Sequence, residues 1–315
     1  MTAIVTLTMN PALDKSTSTR QVIPEDKLRC ADVTVEPGGG GVNVSRAIRK
    51  LGGDSLALYA AGGHTGHAYR ELLQRDGLQE QRLPIEGNTR ESFTVFEESS
   101  RLQYRFSMPG PTLSEAEWRN ILDEIEQLSP DYLIASGSLP PGVPAAFYVQ
   151  LARRLADRPT RVVVDTSGAA LHALIAEDAP VFLVKPNLRE LADLSGRDLP
   201  DDEAIVAAAR AVLAESRIET LVVSLGAAGV LLMAADQTAH LRAPIVPIRS
   251  KIGAGDSTVA GIILALTRGF SLLEAVRFGV AAGAAAVMTP GTELCRRDDA
   301  ERLYEQLLHD AVVTR

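Results

Sequence analysis

From Ser114 to the C-terminus, short apolar runs alternate with longer stretches in which apolar positions recur at helical spacing. Strands are expected at 132–135, 161–165, 182–184 and 220–224. Helices are expected at about 115–127, 145–156, 201–215, 255–267, 273–288 and 298–308. Such alternation predicts an α/β protein with a doubly wound, mostly parallel sheet and helices on both faces. The N-terminal third reads differently. Residues 1–9 form a first strand, and Asn10-Pro11-Ala12-Leu13-Asp14 is a turn signal that leaves a carboxylate just past a strand end, where open α/β sheets bind ligands. Residues 27–36 read as extended, with Val33 and Val35 alternating against polar neighbours, and a helix at 42–51 leads to a strand at 55–60. Two alternating runs, 91–98 and 102–106, flank Ser99-Ser100-Arg101 as a hairpin. With residues 27–36 they predict a small separate sheet carrying Arg90 and Arg105.

Composition narrows the class. The 315 residues are 46% hydrophobic, enough for a sizeable core in one large domain or two smaller ones. The first nine residues lack the basic head and long apolar core of a signal peptide, and no run reaches the roughly 18 apolar residues of a membrane span. Two distant cysteines, Cys30 and Cys295, give neither a disulfide framework nor a zinc spacing, so a reduced cytoplasmic setting is expected. A formal charge of −8 argues against a nucleic-acid binder but leaves room for a few cations gathered around a small phosphorylated ligand.

Chemistry concentrates at residues 250–257, Ser-Lys-Ile-Gly-Ala-Gly-Asp-Ser, which run into the apolar helix. Gly253 and Gly255 around Ala254 leave backbone N–H groups uncovered at the helix mouth, where the dipole favours an anion. Asp256 would repel that anion unless it acts on something else, such as an attacking hydroxyl; the arrangement suits phosphoryl transfer to an alcohol, although a plain helix cap has the same residues. The run Gly38 to Gly41 predicts a close approach of backbone to ligand, with Asn43 one turn into the next helix offering a donor and an acceptor. A dinucleotide loop fits poorly, because Pro37 precedes the glycines and no acidic residue ends the next strand. Three strand ends carry polar turns: Gly137-Ser138, Lys185-Pro186-Asn187 with Glu190, and Ser224 through Gly226 to Gly229. Asn187 and Glu190 lie on one helix face and could hold magnesium through water or simply cap the helix; the last turn could line a nucleotide or join two strands.

In this order the motifs resemble the PfkB (ribokinase-like) family of sugar kinases over essentially the full length, on the glycine run Gly38 to Asn43 and the element Gly253 to Asp256. Finer motifs are similar to the branch that phosphorylates fructose 6-phosphate at C1: Thr6-Leu7-Thr8, Pro11-Ala12-Leu13-Asp14, Lys27-Leu28-Arg29-Cys30, Gln103-Tyr104-Arg105-Phe106, Met108-Pro109-Gly110, residues 137–143 and Leu294-Cys295. The resemblance implies a single ribokinase-like domain over 1–315 and a small β lid from discontinuous segments at about 14–36 and 89–107, through which two copies form a homodimer. It implies Asp256 as base on the C1 hydroxyl and the amides of Gly253, Ala254 and Gly255 as anion hole. Asp14, Gly39, Gly40, Asn43 and Ser138 would hold the sugar, while Arg90, Arg105 and Lys27 would meet the 6-phosphate. ATP would lie along Lys185, Asn187, Ser224, Gly226 and Gly229, with Mg2+ near Asn187 and Glu190. K+ would sit on backbone oxygens of Ser250, Ile252, Ala286, Thr289 and Gly291. Lys251, where the family commonly has Thr, and Glu293 depart from the pattern beside that loop. The family's other activities on tagatose 6-phosphate or fructose 1-phosphate, and a non-catalytic sugar-phosphate binder, are the alternatives. A base facing an anion hole argues against the last.

Overall fold

A computed structural model describes residues 3–313, with side chains to residue 309. The chain begins with β1 (Ile4–Thr8), β2 (Ala12–Thr19), β3 (Thr34–Gly38), α1 (Gly40–Lys50), β4 (Leu56–Ala61), α2 (Gly63–Arg75) and β5 (Gln79–Pro84). It continues through β6 (Arg90–Glu97), β7 (Gln103–Ser107), α3 (Glu115–Glu126), β8 (Tyr132–Ser136), α4 (Phe147–Arg154), β9 (Arg161–Asp165) and α5 (Gly168–Ala176). The remainder is β10 (Val181–Val184), α6 (Leu188–Ser195), α7 (Asp202–Ala214), β11 (Ile218–Ser224), β12 (Val230–Ala234), β13 (Gln237–Leu241), α8 (Ala254–Thr267), α9 (Leu272–Val287) and α10 (Arg297–Val313).

Nine strands form the large sheet in the order β13-β12-β11-β10-β9-β8-β1-β4-β5. Every pairing is parallel except β11 with β12 and β12 with β13 at one edge. Alternation along the central strands divides the core between the faces. Val5 and Leu7 of β1 join Leu133 and Ala135 of β8 on the face covered by α3 to α7. Ile4 and Ile134 point the other way, onto α1, α8, α9 and α10. The wall of α8 against α9 is built from small residues: a Cβ at Gly261 would lie 2.9 Å from the Gly279 Cα, so the two helices cross closely. Ser114 with Glu117, Asn187 with Glu190 and Ser271 with Glu274 form reciprocal capping boxes at α3, α6 and α9, each stabilising its helix by about 1 kcal/mol.

The second sheet, ordered β3-β2-β6-β7, stands apart from the first. Its central pair β2–β6 is parallel and its outer pairs antiparallel. Here the expectations from sequence need correcting. Residues 10–14 are not a turn carrying Asp14: the chain is already in β2 by Ala12, and Asp14 faces Glu36 and Ser92 across the sheet. The extended piece expected at 27–36 is a strand only from Thr34, and it runs on through Pro37 into Gly38. Pro37 is tolerated because β3 is an edge strand, where its missing N–H leaves no ladder bond unmade. The segments α2, β5, α5, β12 and β13 had no counterpart in the apolar pattern.

Candidate active site

The C-terminal ends of β1, β8, β9, β10 and β11 lie side by side along one edge of the large sheet. β1 is flanked by β4 on one side and β8 on the other, so the connections diverge there and open a crevice. The glycine run fills it. A Cβ at Gly40 would lie 2.3 Å from the Ser136 Oγ and 2.9 Å from the Gly137 N, and one at Gly41 would lie 2.4 Å from the Leu7 carbonyl oxygen. Two of the glycines are therefore required by the approach of α1 to its own sheet, which corrects the expectation that the whole run exists for a ligand. Gly38 leaves room for the Asp14 carboxyl, 2.0 Å from where its Cβ would stand.

At the far side of the crevice Gly253 precedes α8 with φ +74°, and a Cβ there would lie 2.3 Å from Leu294 Cδ2. No side chain caps this helix, and its first backbone bond runs from the Ser257 N–H to the Gly253 carbonyl at 2.9 Å. The amides of Ala254, Gly255 and Asp256 are thus left for another acceptor. Asp256 does not cap its own helix. Its Oδ2 accepts from Asn43 Nδ2 at 2.9 Å, a bond across the crevice from α1, and the Asn43 Oδ1 is buried without a partner. Burial, and next the charge of Asp165, push the Asp256 carboxyl up to about 7, against the Asn43 bond and the Lys185 ammonium. A carboxyl poised there at neutral pH suits a general base.

Lys185, buried at the end of β10, lies 3.3 Å from Asp165 Oδ1, and its Nζ comes within 3.2 Å of where a Gly255 Cβ would be. Burial works against its charge, yet Asp165 and Asp256 together hold its pKa above the ordinary lysine value. Asp165 was missed in the sequence. The signal was an acidic residue closing the apolar strand Arg161–Asp165, at the same sheet edge as Lys185.

A cavity of about 330 Å³ between the two sheets is lined by Asp14, Gly39, Gly40, Asn43, Arg90, Arg105, Gly253 and Asp256, with Lys251 beside them. Burial pushes the Asp14 carboxyl up to about 6, against the pull of Arg90 and Arg105. Arg90 donates to Asn10 O, Met108 O and Ser107 Oγ, each at 3.1 Å, while its buried Nε has no partner. Arg105 is exposed on β7, and Ser138 lies outside the lining residues but accepts from Asn10 Nδ2 at 3.2 Å. Lys27 is not brought to the cavity; it is exposed in the segment between β2 and β3. Asn187 and Ser224 are bridged at the ends of β10 and β11, and Gly226 and Gly229 shape the turn from β11 to β12. Asn187 and Glu190 bond each other as the cap of α6, through Asn187 Oδ1 at 2.9 Å and Glu190 Oε2 at 2.8 Å. Ser250 Oγ donates to the Gly291 carbonyl at 2.8 Å, which fastens the loop before α8 to the loop after α9.

A doubly wound sheet with a buried carboxyl of raised pKa set against an uncapped helix start, under a small second sheet, is the architecture of a ribokinase-like kinase. The family model for pfkB family carbohydrate kinases matches residues 3–299, and the chain belongs to that family. It is 45% identical over 306 residues to ATP-dependent 6-phosphofructokinase isozyme 2 of Mycobacterium tuberculosis, covering 96% of this chain and 89% of the relative. The crystal structure of phosphofructokinase-2 from Escherichia coli in complex with potassium superposes with a TM-score of 0.93 at 41% identity, covering 98% of this chain and 100% of that one. The same enzyme in complex with fructose-6-phosphate gives 0.91 at 40% identity over the same shares.

Proposed function

We propose that this protein is an ATP-dependent 6-phosphofructokinase, phosphorylating fructose 6-phosphate at C1 to fructose 1,6-bisphosphate. The observation that carries the reading is the Asn43–Asp256 bond, which holds a carboxyl of raised pKa beside helix amides that nothing caps. Asp256 takes the proton of the C1 hydroxyl as its oxygen attacks the γ-phosphorus of ATP; the bond from that phosphorus to the β–γ bridging oxygen breaks, and ADP leaves. The amides of Ala254 and Gly255, left unbonded by the helix start together with that of Asp256, and the amide of Gly253 before them stabilise the charge on the passing phosphoryl group. Asp14, Gly39, Gly40 and Asn43 hold the sugar hydroxyls, Arg90 and Arg105 hold the 6-phosphate, and Ser138, bonded to Asn10 outside the cavity lining, is a further candidate for the sugar. Lys27 is a remoter candidate, since it stands outside the cavity of this single chain.

ATP runs along the sheet edge past Lys185, Asn187, Ser224, Gly226 and Gly229. Divalent metal would neutralise charge on the ATP phosphates, and Glu190 fits it through Oε1, the oxygen its cap does not use. Potassium would add positive charge behind the anion hole. The backbone oxygens of Ser250, Ile252, Ala286, Thr289 and Gly291 would hold it, in the region where the Ser250–Gly291 bond draws the loops before α8 and after α9 together. The Gly291 carbonyl, which already accepts one hydrogen bond, would use its second lone pair, and the Ala286 carbonyl, which accepts from Thr289, would share its lone pairs with the ion. A higher melting temperature in potassium than in sodium at equal ionic strength is expected.

The β3-β2-β6-β7 sheet serves as a lid on the single ribokinase-like domain. It exposes Phe93 and, opposite it on β7, Phe106, which is 52% accessible; this apolar pair supports a homodimer through the lid. Among the described residues no helix is long and apolar enough to cross a membrane. Steady-state kinetics on fructose 6-phosphate, tagatose 6-phosphate and fructose 1-phosphate tests the assignment. Fructose 6-phosphate is expected to give the highest kcat/KM; a clear advantage for either rival overturns it.

A further inference from the structure

The cavity wall holds a cation, Lys251, that neither the reaction above nor an ion pair among the described residues uses. Lys251 lines the cavity beside Gly253, Asp256, Gly291 and Thr292. The other nearby cations are paired or have a place in the reading above. Lys15 pairs with Glu91 at 2.8 Å, Arg90 donates to three oxygens of its own chain, and Lys185 is held by Asp165. Arg105 belongs to the lid sheet. Lys251 makes no ion pair among the described residues. Its backbone is nonetheless fixed, because Ser250 Oγ donates to the Gly291 carbonyl at 2.8 Å and accepts from the Ile252 N–H at 3.2 Å. An exposed, unpaired ammonium thus stands on a pinned loop two residues ahead of the uncapped start of α8.

The charge balance of the wall gives this position a use. Asp14 and Asp256 both bring carboxyls to the cavity, while the helix amides offer only partial charges. A phosphoryl group in transit carries negative charge on its equatorial oxygens, and a lysine serves such a group as a mobile point charge. We propose that Lys251 is a further phosphate-contacting residue: its ammonium binds the phosphoryl group as it passes to the C1 oxygen and stays on the 1-phosphate of the product. The inference rests on the assignment of C1 as acceptor. It separates the two ends of the sugar, with Arg90 and Arg105 of the lid sheet at the 6-phosphate and Lys251 at the reacting end. Lys251 gives up no proton in the step, so the balance of the transfer is unchanged.

Isothermal titration calorimetry of the intact protein with fructose 6-phosphate and with fructose 1,6-bisphosphate tests it, using wild type, Lys251→Met and Lys251→Arg. Loss of one charge-assisted contact should weaken the bisphosphate by about ten- to a hundredfold in Lys251→Met while fructose 6-phosphate stays within about twofold. Lys251→Arg, which keeps the charge, should hold the bisphosphate within roughly fivefold of wild type. Unchanged bisphosphate affinity in Lys251→Met overturns the proposal, as does an equal loss for both sugars, which would put Lys251 at the 6-phosphate or in a purely structural role. Wild type that binds fructose 1-phosphate better than fructose 6-phosphate overturns the underlying assignment instead, and that result precedes any substitution.

Discussion

Replacing Asp256 by Asn should make the protein more stable as well as less active. The fold ionises this carboxyl at a cost, because burial and the nearby Asp165 raise its pKa from the ordinary 3.8 to about 7. That shift of about three units corresponds to a ceiling of about 4 kcal/mol at pH 8, at about 1.4 kcal/mol per unit. Asp256 lines an open cavity, so water offsets part of the cost and a gain of about 1–3 kcal/mol is the reasonable expectation. Asn has nearly the same shape, and its carbonyl can still accept from Asn43. The sign follows from linkage: below about pH 4 both native and unfolded Asp256 are protonated and the two proteins should be equally stable. Between 4 and 7 the unfolded chain has lost a proton that the native state keeps, so wild type falls behind as pH rises. Urea unfolding followed by circular dichroism at pH 5 and pH 8 measures this, and the advantage of Asp256→Asn at pH 5 should be less than half that at pH 8. Equal stability of the two proteins at pH 8, or a gain independent of pH, would refute the claim that Asp256 is held as a costly buried base.

The pH dependence of kcat/KM should follow the same group: activity falls as pH drops through about 7, where Asp256 gains its proton, and falls more steeply below about 6, where Asp14 does. A profile flat from pH 8 to 5.5 would contradict this. Arg105→Ala should raise the KM for fructose 6-phosphate about ten- to a hundredfold and leave kcat within a few-fold, since a phosphate contact remote from the reacting carbon acts alike in ground and transition states. An unchanged KM would place Arg105 in solvent. Gly40→Ala should destabilise the protein by about 1–3 kcal/mol, because its Cβ would meet Ser136 and the Gly137 backbone, and the melting temperature should drop accordingly. An unaltered melting temperature would mean that α1 is not packed so tightly on β8.

Much of the architecture was legible because its signals are local. The strand Arg161–Asp165 lies where its apolar run ends, and the helix Ala254–Thr267 starts at the glycines that announce it. Failures came where tertiary pairing overrides local preference. Pro11 and Asp14 suggested a turn, but β2 is held as a strand by β3 on one side and β6 on the other. The helix α2 was hidden by Gly62, Gly63 and Gly66 near its start, and among its residues Tyr69 and Leu73 are the large apolar side chains it buries. The candidate site divides in the same way. Asp256, Gly253 and Asn43 stand out by residue type, whereas the Asn43–Asp256 bond spans 213 positions and separates a base from a helix cap only once the chain is folded. Asp165 acquires its role solely from the adjacency of β9 and β10.

The most direct test of the account is phosphorus NMR of fructose 6-phosphate incubated with ATP and either wild type or Asp256→Asn. Wild type should yield ADP and a sugar with a second phosphate at C1, while Asp256→Asn forms it roughly 10² to 10⁴ times more slowly. A second phosphate at any other carbon, or Asp256→Asn turning over within a few-fold of wild type, would contradict the assignment of Asp256 as the base that delivers the C1 oxygen to ATP.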